Sequence, residues 1–248
     1  MKTVAIIQAR IGSTRLPNKV MKTLCDRTVL AHVIDRVKHC NRIDQIVVAT
    51  TTLSQDDAIV KEAELCGVNW FRGSESNVLE RYYLTAKEYQ ADTIMRITSD
   101  CPLLDIEIIE QLLSYFQEEN NMGLGIDYIS NTLRRSFPIG LDAEVFTFNA
   151  LEIAYNYAIK DYEKEHVTPY IYQHPDLFSL HNLSHDDDLS HYRWTLDTPE
   201  DYELIKIIYE NLYPQNPLFG MDEILSFLEK KPEINQINAH IKQKKLGE

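Results

Sequence analysis

Two periods of apolar and polar positions run through the first half of the chain. Val4 to Ile7 is an apolar run too short for a helix, and it breaks into a polar loop, which predicts a buried strand. After Thr28, the apolar positions Val29, Leu30, Val33, Ile34 and Val37 recur at helical spacing, so a helix capped by Thr28 is expected. Ile46 to Ala49 predicts a second strand, closed by Thr50-Thr51-Thr52. Ser54 and Asp57 read as a capping box opening a helix through Glu64 that ends near Gly67. A short strand at Asn69 to Phe71, a helix at Val78 to Tyr89, a strand at Thr93 to Ile97 and a helix at Ile106 to Phe116 capped by Asp105 follow. This βαβα alternation implies an α/β fold: a Rossmann-like, doubly wound, mostly parallel sheet that binds ligands at the carboxyl ends of its strands.

The second half reads differently. A looser stretch from Glu118 to Gly125 leads into strand-like alternation from Asp127 to Phe148 around a Phe137-Pro138-Ile139-Gly140 turn, which predicts mixed or antiparallel pairing. Asn149 is expected to cap a helix to about Lys160, and Glu165 to Tyr172 to be a short helix or irregular. Ser179 to Leu183 and Tyr192 to Leu196 read as short strands. Thr198-Pro199-Glu200-Asp201 is a helix start with proline at the first position and acids in the first turn, so Glu200 and Asp201 read as structural. That helix is expected to reach Leu212, with a break at Pro214 to Pro217, a helix from Met221 to Leu228 and a polar tail from Lys230. No repeat, low-complexity tract or linker interrupts the chain, so one domain over 1–248 is expected.

With 248 residues, 44% of them hydrophobic, the chain can bury a sizeable core. A net charge of −13 argues against nucleic acid or an anionic membrane as the main partner. The apolar runs are too short to cross a bilayer, and Met1-Lys2-Thr3-Val4 leads straight into a strand with no signal peptide, so a cytoplasmic location is expected. Cys25, Cys40, Cys66 and Cys101 form no C-x-x-C pair and read as reduced thiols.

Against that acidic background, Gln8-Ala9-Arg10-Ile11-Gly12-Ser13-Thr14-Arg15-Leu16-Pro17-Asn18-Lys19 stands out, because no carboxylate occurs from Met1 to Leu24. Arg10, Arg15 and Lys19 suit a polyphosphate, Gly12 lets the backbone approach it, and Ser13 and Thr14 add donors. The spacing matches neither the Walker A pattern nor G-x-G-x-x-G, and a plain basic surface loop is the competing reading. Asp100 and Asp197 each end a strand, where carboxylates reach the crevice, although aspartates also serve turns and helix caps there.

The loop resembles the signature of the cytidylyltransferases that make CMP-activated acidic sugars, closest to the branch named for spore coat polysaccharide biosynthesis protein F. The similarity continues through Val47-Val48-Ala49-Thr50-Thr51, Phe71-Arg72-Gly73-Ser74, Arg96-Ile97-Thr98-x-Asp100-Cys101-Pro102-Leu103, Gly140-Leu141-Asp142-x-Glu144-Val145-Phe146, Glu165-His166-Val167-Thr168-Pro169-Tyr170 and Leu196-Asp197-Thr198-Pro199-Glu200-Asp201. Asn18 departs from it, standing where the family usually has glycine. The resemblance implies a nucleotidyltransferase fold of the GT-A-like kind, with a nucleotide-binding half (1–126), a small mixed-strand acceptor and dimerisation region (127–196) and C-terminal helices (197–248). It implies transfer of CMP from CTP to an acidic sugar of the ulosonic kind, for surface polysaccharide synthesis, by a homodimer.

On the same basis Arg10, Arg15 and Lys19 would cradle phosphates, and Asp100 and Asp197 would hold Mg2+, with Asp100 counted among the catalytic groups. The nucleotide would lie near Gln8, Ala9, Arg10, Gly12, Ser13, Thr50, Ser74 and Arg96. Asp142, Glu144 and His166 fall in the acceptor segment, where Arg134 or Arg135 would meet a sugar carboxylate. Two other readings compete: a nucleotide-sugar-dependent glycosyltransferase, for which Asp186-Asp187-Asp188 formally fits a D-x-D motif, and a non-catalytic CTP-binding protein.

Overall fold

The structure, a computed structural model, describes residues 1–243, so the end of the polar tail lies outside the described residues. The chain forms β1 (Thr3–Gln8), β2 (Thr23–Leu24), β3 (Arg27–Thr28), α1 (Val29–Lys38), β4 (Gln45–Thr51), α2 (Asp57–Leu65), β5 (Asn69–Gly73), α3 (Val78–Glu88), β6 (Thr93–Thr98) and α4 (Ile106–Asn121). It continues with β7 (Tyr128–Ser130), β8 (Glu144–Thr147), α5 (Phe148–Tyr157), α6 (Asp161–His166), α7 (Pro169–Tyr172), β9 (Leu180–Asn182), α8 (Pro199–Leu212) and α9 (Met221–Lys230).

Seven strands make one sheet in the order β5-β4-β1-β6-β8-β7-β9, while β2 and β3 form a separate hairpin. The pairs β5/β4, β4/β1 and β1/β6 are parallel, as the alternation predicts. β8 runs antiparallel to both β6 and β7, and β9 returns parallel to β7, which is the mixed region expected after Asp127. Because β8 is reversed, its first residue, Glu144, sits at the carboxyl end of the parallel strands, in register with Arg96.

Alternate residues of β1 feed two cores. Ala5 and Ile7 pack with residues of α1, α2, α4, α8 and α9 on one face, and Val4 and Ile6 with those of α3 and α5 on the other. Both faces are therefore dry, as a parallel sheet requires.

Local expectations fail at five places, each for a visible reason. Ser54 and Asp57 make no capping box: residues 54–56 form a 3-10 turn, and Asp56 turns inward to bind Thr51 and the backbone of Ile11. α4 runs on to Asn121, because Asn120 caps the next turn by exchanging hydrogen bonds with Ile126 N–H and C=O at 2.7 and 3.1 Å. The cap of α5 is Thr147, whose hydroxyl accepts from Ala150 N–H at 3.0 Å, and the helix ends at Tyr157, short of Lys160. Tyr192 to Leu196 is extended but pairs only through a bridge between Ile139 and Arg193, so it is no full strand. α9 continues two residues past Leu228, to Lys230.

Candidate active site

β4 lies on one side of β1 and β6 on the other, so the strand order reverses there and the loops after β1 and β6 part to leave a crevice. Arg10 to Lys19 occupy the loop after β1. Asp100 lies in the turn after β6. Asp197 joins them because Leu196 N–H donates to the Asp100 carbonyl at 2.8 Å.

The loop is shaped by its own backbone. Ala9 N–H continues the sheet by donating to Ala49 O at 3.1 Å, and Ile11 N–H donates to buried Asp56 Oδ1 at 2.8 Å. Ser13 Oγ accepts from Leu16 N–H at 3.4 Å, which closes the middle of the loop. Asn18 has φ 57° and ψ 25°, a left-handed conformation that glycine adopts freely and asparagine tolerates. Asparagine at this position, where the resemblance has glycine, thus accommodates a left-handed turn. It opens the 3-10 segment Lys19–Met21, which buries Val20 and directs Lys19 inward.

Lys19 is the centre of the site. Its Nζ donates to Asp100 Oδ2 and to Asp197 Oδ1, both at 2.7 Å. Arg15 reaches Asp197 Oδ2 at 3.1 Å, and Arg193 reaches the same oxygen at 3.3 Å. The side chains of Lys19, Asp100 and Asp197 are only 15, 25 and 14% exposed. Burial works against the charge of Lys19, but the two carboxylates outweigh it and raise its basicity. Burial alone would likewise raise the Asp100 carboxyl, yet the charge and hydrogen bond of Lys19 hold it below the usual range. The neighbouring Cys101 thiol is pushed up, first by burial and then by Asp100, and donates to Asp100 Oδ1 at 3.7 Å.

Arg10 stands apart, meeting Glu75 at 3.7 Å with both side chains nearly half exposed; such a pair contributes little and exchanges readily. A Cβ added at Gly12 would meet the side chains of Gln55 and Glu75 at 3.5 and 3.8 Å, ordinary contact distances. Thr50 is fully buried at the end of β4, and its hydroxyl has no partner among the described residues. Ser74 is committed locally: Oγ accepts from Asn77 N–H at 3.0 Å and its carbonyl from Arg81 at 2.6 Å.

A second cluster lies on the opposite face of β6. Arg96 pairs with Glu144, donates to Gln8 Oε1 at 3.3 Å, and shares Glu144 with Tyr128, whose hydroxyl donates at 2.8 Å. Burial opposes the charge of Arg96, and Glu144 more than compensates. The Tyr172 hydroxyl is pushed up to about 12 by burial and by Glu144. His166 ends α6 with an exposed edge; partial burial lowers its basicity, and Glu165 works in the other direction. Its carbonyl accepts from Thr168 N–H at 2.9 Å across Val167, which has φ 73° and ψ −57°. This is a strained γ-turn at a buried β-branched residue.

The remaining acceptor candidates are differently placed. Arg135 holds Asp142 two-pronged at 2.6 and 2.8 Å, while Arg134 is exposed. Asp186, Asp187 and Asp188 lie on the surface, with Asp188 accepting from Ser190 N–H at 3.0 Å. Among the described residues no group of three or more His, Cys, Asp or Glu could hold a metal ion. The D-x-D motif is therefore not assembled into such a group. Asp100 and Asp197 do fit a magnesium ion, which takes one or two protein carboxylates and completes its shell with water and phosphate. The Lys19 ammonium bridging them stands where positive charge is wanted.

Sequence reasoning missed three residues. Asp56 anchors the loop, Tyr128 shares Glu144, and Arg193 supports Asp197. Arg193 had a usable signal, a lone cation in an otherwise uncharged run from Tyr192 to Leu196.

The cytidylyltransferase family profile matches residues 4–246. The spore coat polysaccharide biosynthesis protein SpsF of Bacillus subtilis is 34% identical to this chain over 92% of it and 94% of its own length. The solved structure of a cytidylyltransferase from Leptospira borgpetersenii superposes with a TM-score of 0.89 at 36% identity, covering 95% of this chain and 97% of that one. A CMP:2-keto-3-deoxy-manno-octonic acid synthetase complexed with CTP shares the fold at a TM-score of 0.64 and 14% identity, over 85% of this chain and 99% of its own. With these similarities spanning the sheet, the crevice and both aspartates, the chain belongs to the cytidylyltransferase family and is a CTP-dependent nucleotidyltransferase.

Proposed function

We propose that the protein transfers CMP from CTP to an acidic sugar of the ulosonic kind, releasing pyrophosphate, in the synthesis of a surface polysaccharide. The observation that carries this reading is Lys19 held between Asp100 and Asp197 with Arg15 alongside. Cations and carboxylates that pair with each other at a sheet switch point can re-pair with a triphosphate and its counterion. Arg10, Arg15 and Lys19 would take phosphate oxygens and orient the α-phosphate for in-line attack. Asp100 and Asp197 would hold Mg2+, which when bound offsets charge developing on the α-phosphate and leaving pyrophosphate.

The cytidine would lie over Gln8, Ala9, Gly12, Ser13, Thr50 and Ser74. Thr50, with its unpartnered hydroxyl, is the best supported of these. The Arg96–Glu144 pair, expected on opposite sides of the reaction, joins the nucleotide and acceptor segments into one wall. His166 would lie at the acceptor end of that wall. Asp142 is engaged by Arg135, and the two would act together toward the acceptor. The acidic sugar is suggested by the substrate for which the synthetase of the same fold is named, and the polysaccharide role by the name of the Bacillus relative.

A single catalytic domain is supported by the sheet, which draws strands from both 1–126 and 127–196. A homodimer fits the apolar side chains of Tyr157, Ile159 and Leu177, which are 65, 79 and 56% exposed around α5 to α7. No helix among the described residues is long and apolar enough to cross a membrane.

The test is pyrophosphate release with magnesium, each of the four ribonucleoside triphosphates, and a panel of acidic sugars. Release with CTP and one such sugar is the expected result. Turnover with only neutral sugars, or CTP binding with no turnover across the panel, would overturn the acceptor assignment.

A further inference from the structure

We propose that Arg193 is a positioning residue for Asp197, and that the C-terminal segment through Asn238 belongs to the active site as its strap. The proposal rests on the reading of Asp197 as a magnesium ligand. Arg193 is 5% exposed and is delivered by backbone contacts. Ile139 N–H donates to Tyr192 O at 3.0 Å and Trp194 N–H to Ile139 O at 2.6 Å. Gly140, at φ 106°, lies so close that an added Cβ would fall 2.5 Å from the backbone of Trp194 and Thr195.

The guanidinium then divides its donors. Nε and Nη2 donate to the two oxygens of buried Asp201 at 2.9 and 3.0 Å, and Nη2 also reaches Asp197 Oδ2 at 3.3 Å. Asp201 in turn accepts the backbone N–H groups of Asp197 and Thr198, both at 3.0 Å. One carboxylate thus fixes the peptide of Asp197 and also the cation that fixes its side chain. Asn238, 2% exposed, closes the network, its Nδ2 donating to Arg193 O and Asp201 Oδ1, both at 2.8 Å.

The consequence is a division of labour on Asp197. Oδ2 is occupied by Arg193 and Arg15, while Oδ1 faces Lys19 opposite Asp100 Oδ2. Asp197 therefore offers a single oxygen to a cation. Lysine in place of Arg193, being a point charge, could not hold Asp197 and Asp201 together.

The experiment measures Mn2+ binding by the electron paramagnetic resonance of the free ion, and separately the Mg2+ and CTP dependence of pyrophosphate release. The proteins are the wild type, Arg193→Gln, Arg193→Lys and Asn238→Ala, each checked for fold by circular dichroism. Loss of an outer partner of a metal ligand typically weakens the metal by about 10–100-fold. A shift of that order in Mn2+ affinity and half-saturating Mg2+ is expected for both Arg193 variants, with the KM for CTP at saturating metal unchanged. Asn238→Ala should shift both in the same direction by less. If Arg193→Gln does not fold, Asn238→Ala decides alone. Unchanged Mn2+ affinity in folded variants, or a raised KM for CTP without a change in metal affinity, would overturn the positioning role and leave the magnesium reading standing. A wild type that binds no Mn2+ and turns over without a divalent ion would instead remove the magnesium reading itself.

Discussion

The two charged clusters on either side of β6 use the same residue types to opposite ends. Around Lys19, the side chains of Arg15, Lys19, Asp100 and Asp197 come from loops and turns and sit 14 to 36% exposed, and Arg15 and Lys19 contact carboxylates from distant parts of the chain. Around Arg96 the charges come from the strands themselves, Arg96 and Glu144 are 12 and 8% exposed, and both are locked in the register of β6 and β8. Lys19 and Asp197 are nearly as buried as Arg96, so the difference lies in the backbone: loop charges can change partners when the loop adjusts. Strand charges held in register cannot, because separating them leaves an uncompensated buried ion. The first cluster is thus suited to trading its internal pairs for a triphosphate, and the second to holding a wall in place.

The most severe way to break this contrast is Glu144→Ala. It should cost about 3–5 kcal/mol of stability, because Arg96 is left charged and buried, and urea unfolding measures it. A loss below about 1 kcal/mol, the level of an exposed pair, would mean that the second cluster is as exchangeable as the first.

Next comes Asp100→Asn, which should leave the fold intact and lower turnover by about 10²–10³, the usual scale for removing one electrostatic contributor to a transition state. Pyrophosphate release at limiting magnesium is the readout, and normal activity there would remove Asp100 from the metal site. Lys19→Ala should raise the KM for CTP and slow transfer by about tenfold or more as a phosphate contact is lost. It should also tighten Mn2+ binding in the absence of nucleotide, since two carboxylates lose their internal cation. Weaker Mn2+ binding would argue that Lys19 organises the carboxylates instead of competing for them.

A pH titration sharpens the comparison further. The folded value of Asp100 lies below its unfolded one, so its contribution to stability is complete above the ordinary carboxylate range, about pH 4, and is lost as pH falls through the depressed value. The stability gap between wild type and Asp100→Asn should therefore close on acidification, as followed by urea midpoints from neutral pH downward. A constant gap would show that Asp100 contributes by packing. The smallest effect belongs to Asn18→Gly, expected within about 0.5 kcal/mol of wild type and with an unchanged KM for CTP, because asparagine already adopts the left-handed turn.

Much of this was legible in the linear order of residues. Val4 to Ile7, Ile46 to Ala49 and Thr93 to Ile97 read as buried strands because parallel strands covered on both faces are apolar throughout, and the helices between them carry clear periodicity. Thr28, Asp105 and Thr198 were readable caps, since a cap is settled within three residues, and all three cap as expected. Thr147 displaced Asn149 as a cap because strand register fixed where β8 ended, and register is a property of pairs of strands. Asp56 was invisible for a related reason, since its partner Ile11 lies in another segment, and Arg193 showed only as a lone cation, its contact with Asn238 being equally distant in the chain.

By itself, then, the order of residues determined the α/β class, the family and the basic loop, because each depends on local pattern and on residue types at short spacing. Only the tertiary structure decided that Lys19 lies between Asp100 and Asp197, that Arg96 meets Glu144, and that Asn238 reaches back to Arg193. Those contacts join segments far apart in the chain, and their geometry follows from strand order and from the register of β8 against β6, which the local pattern that foretold mixed pairing does not specify.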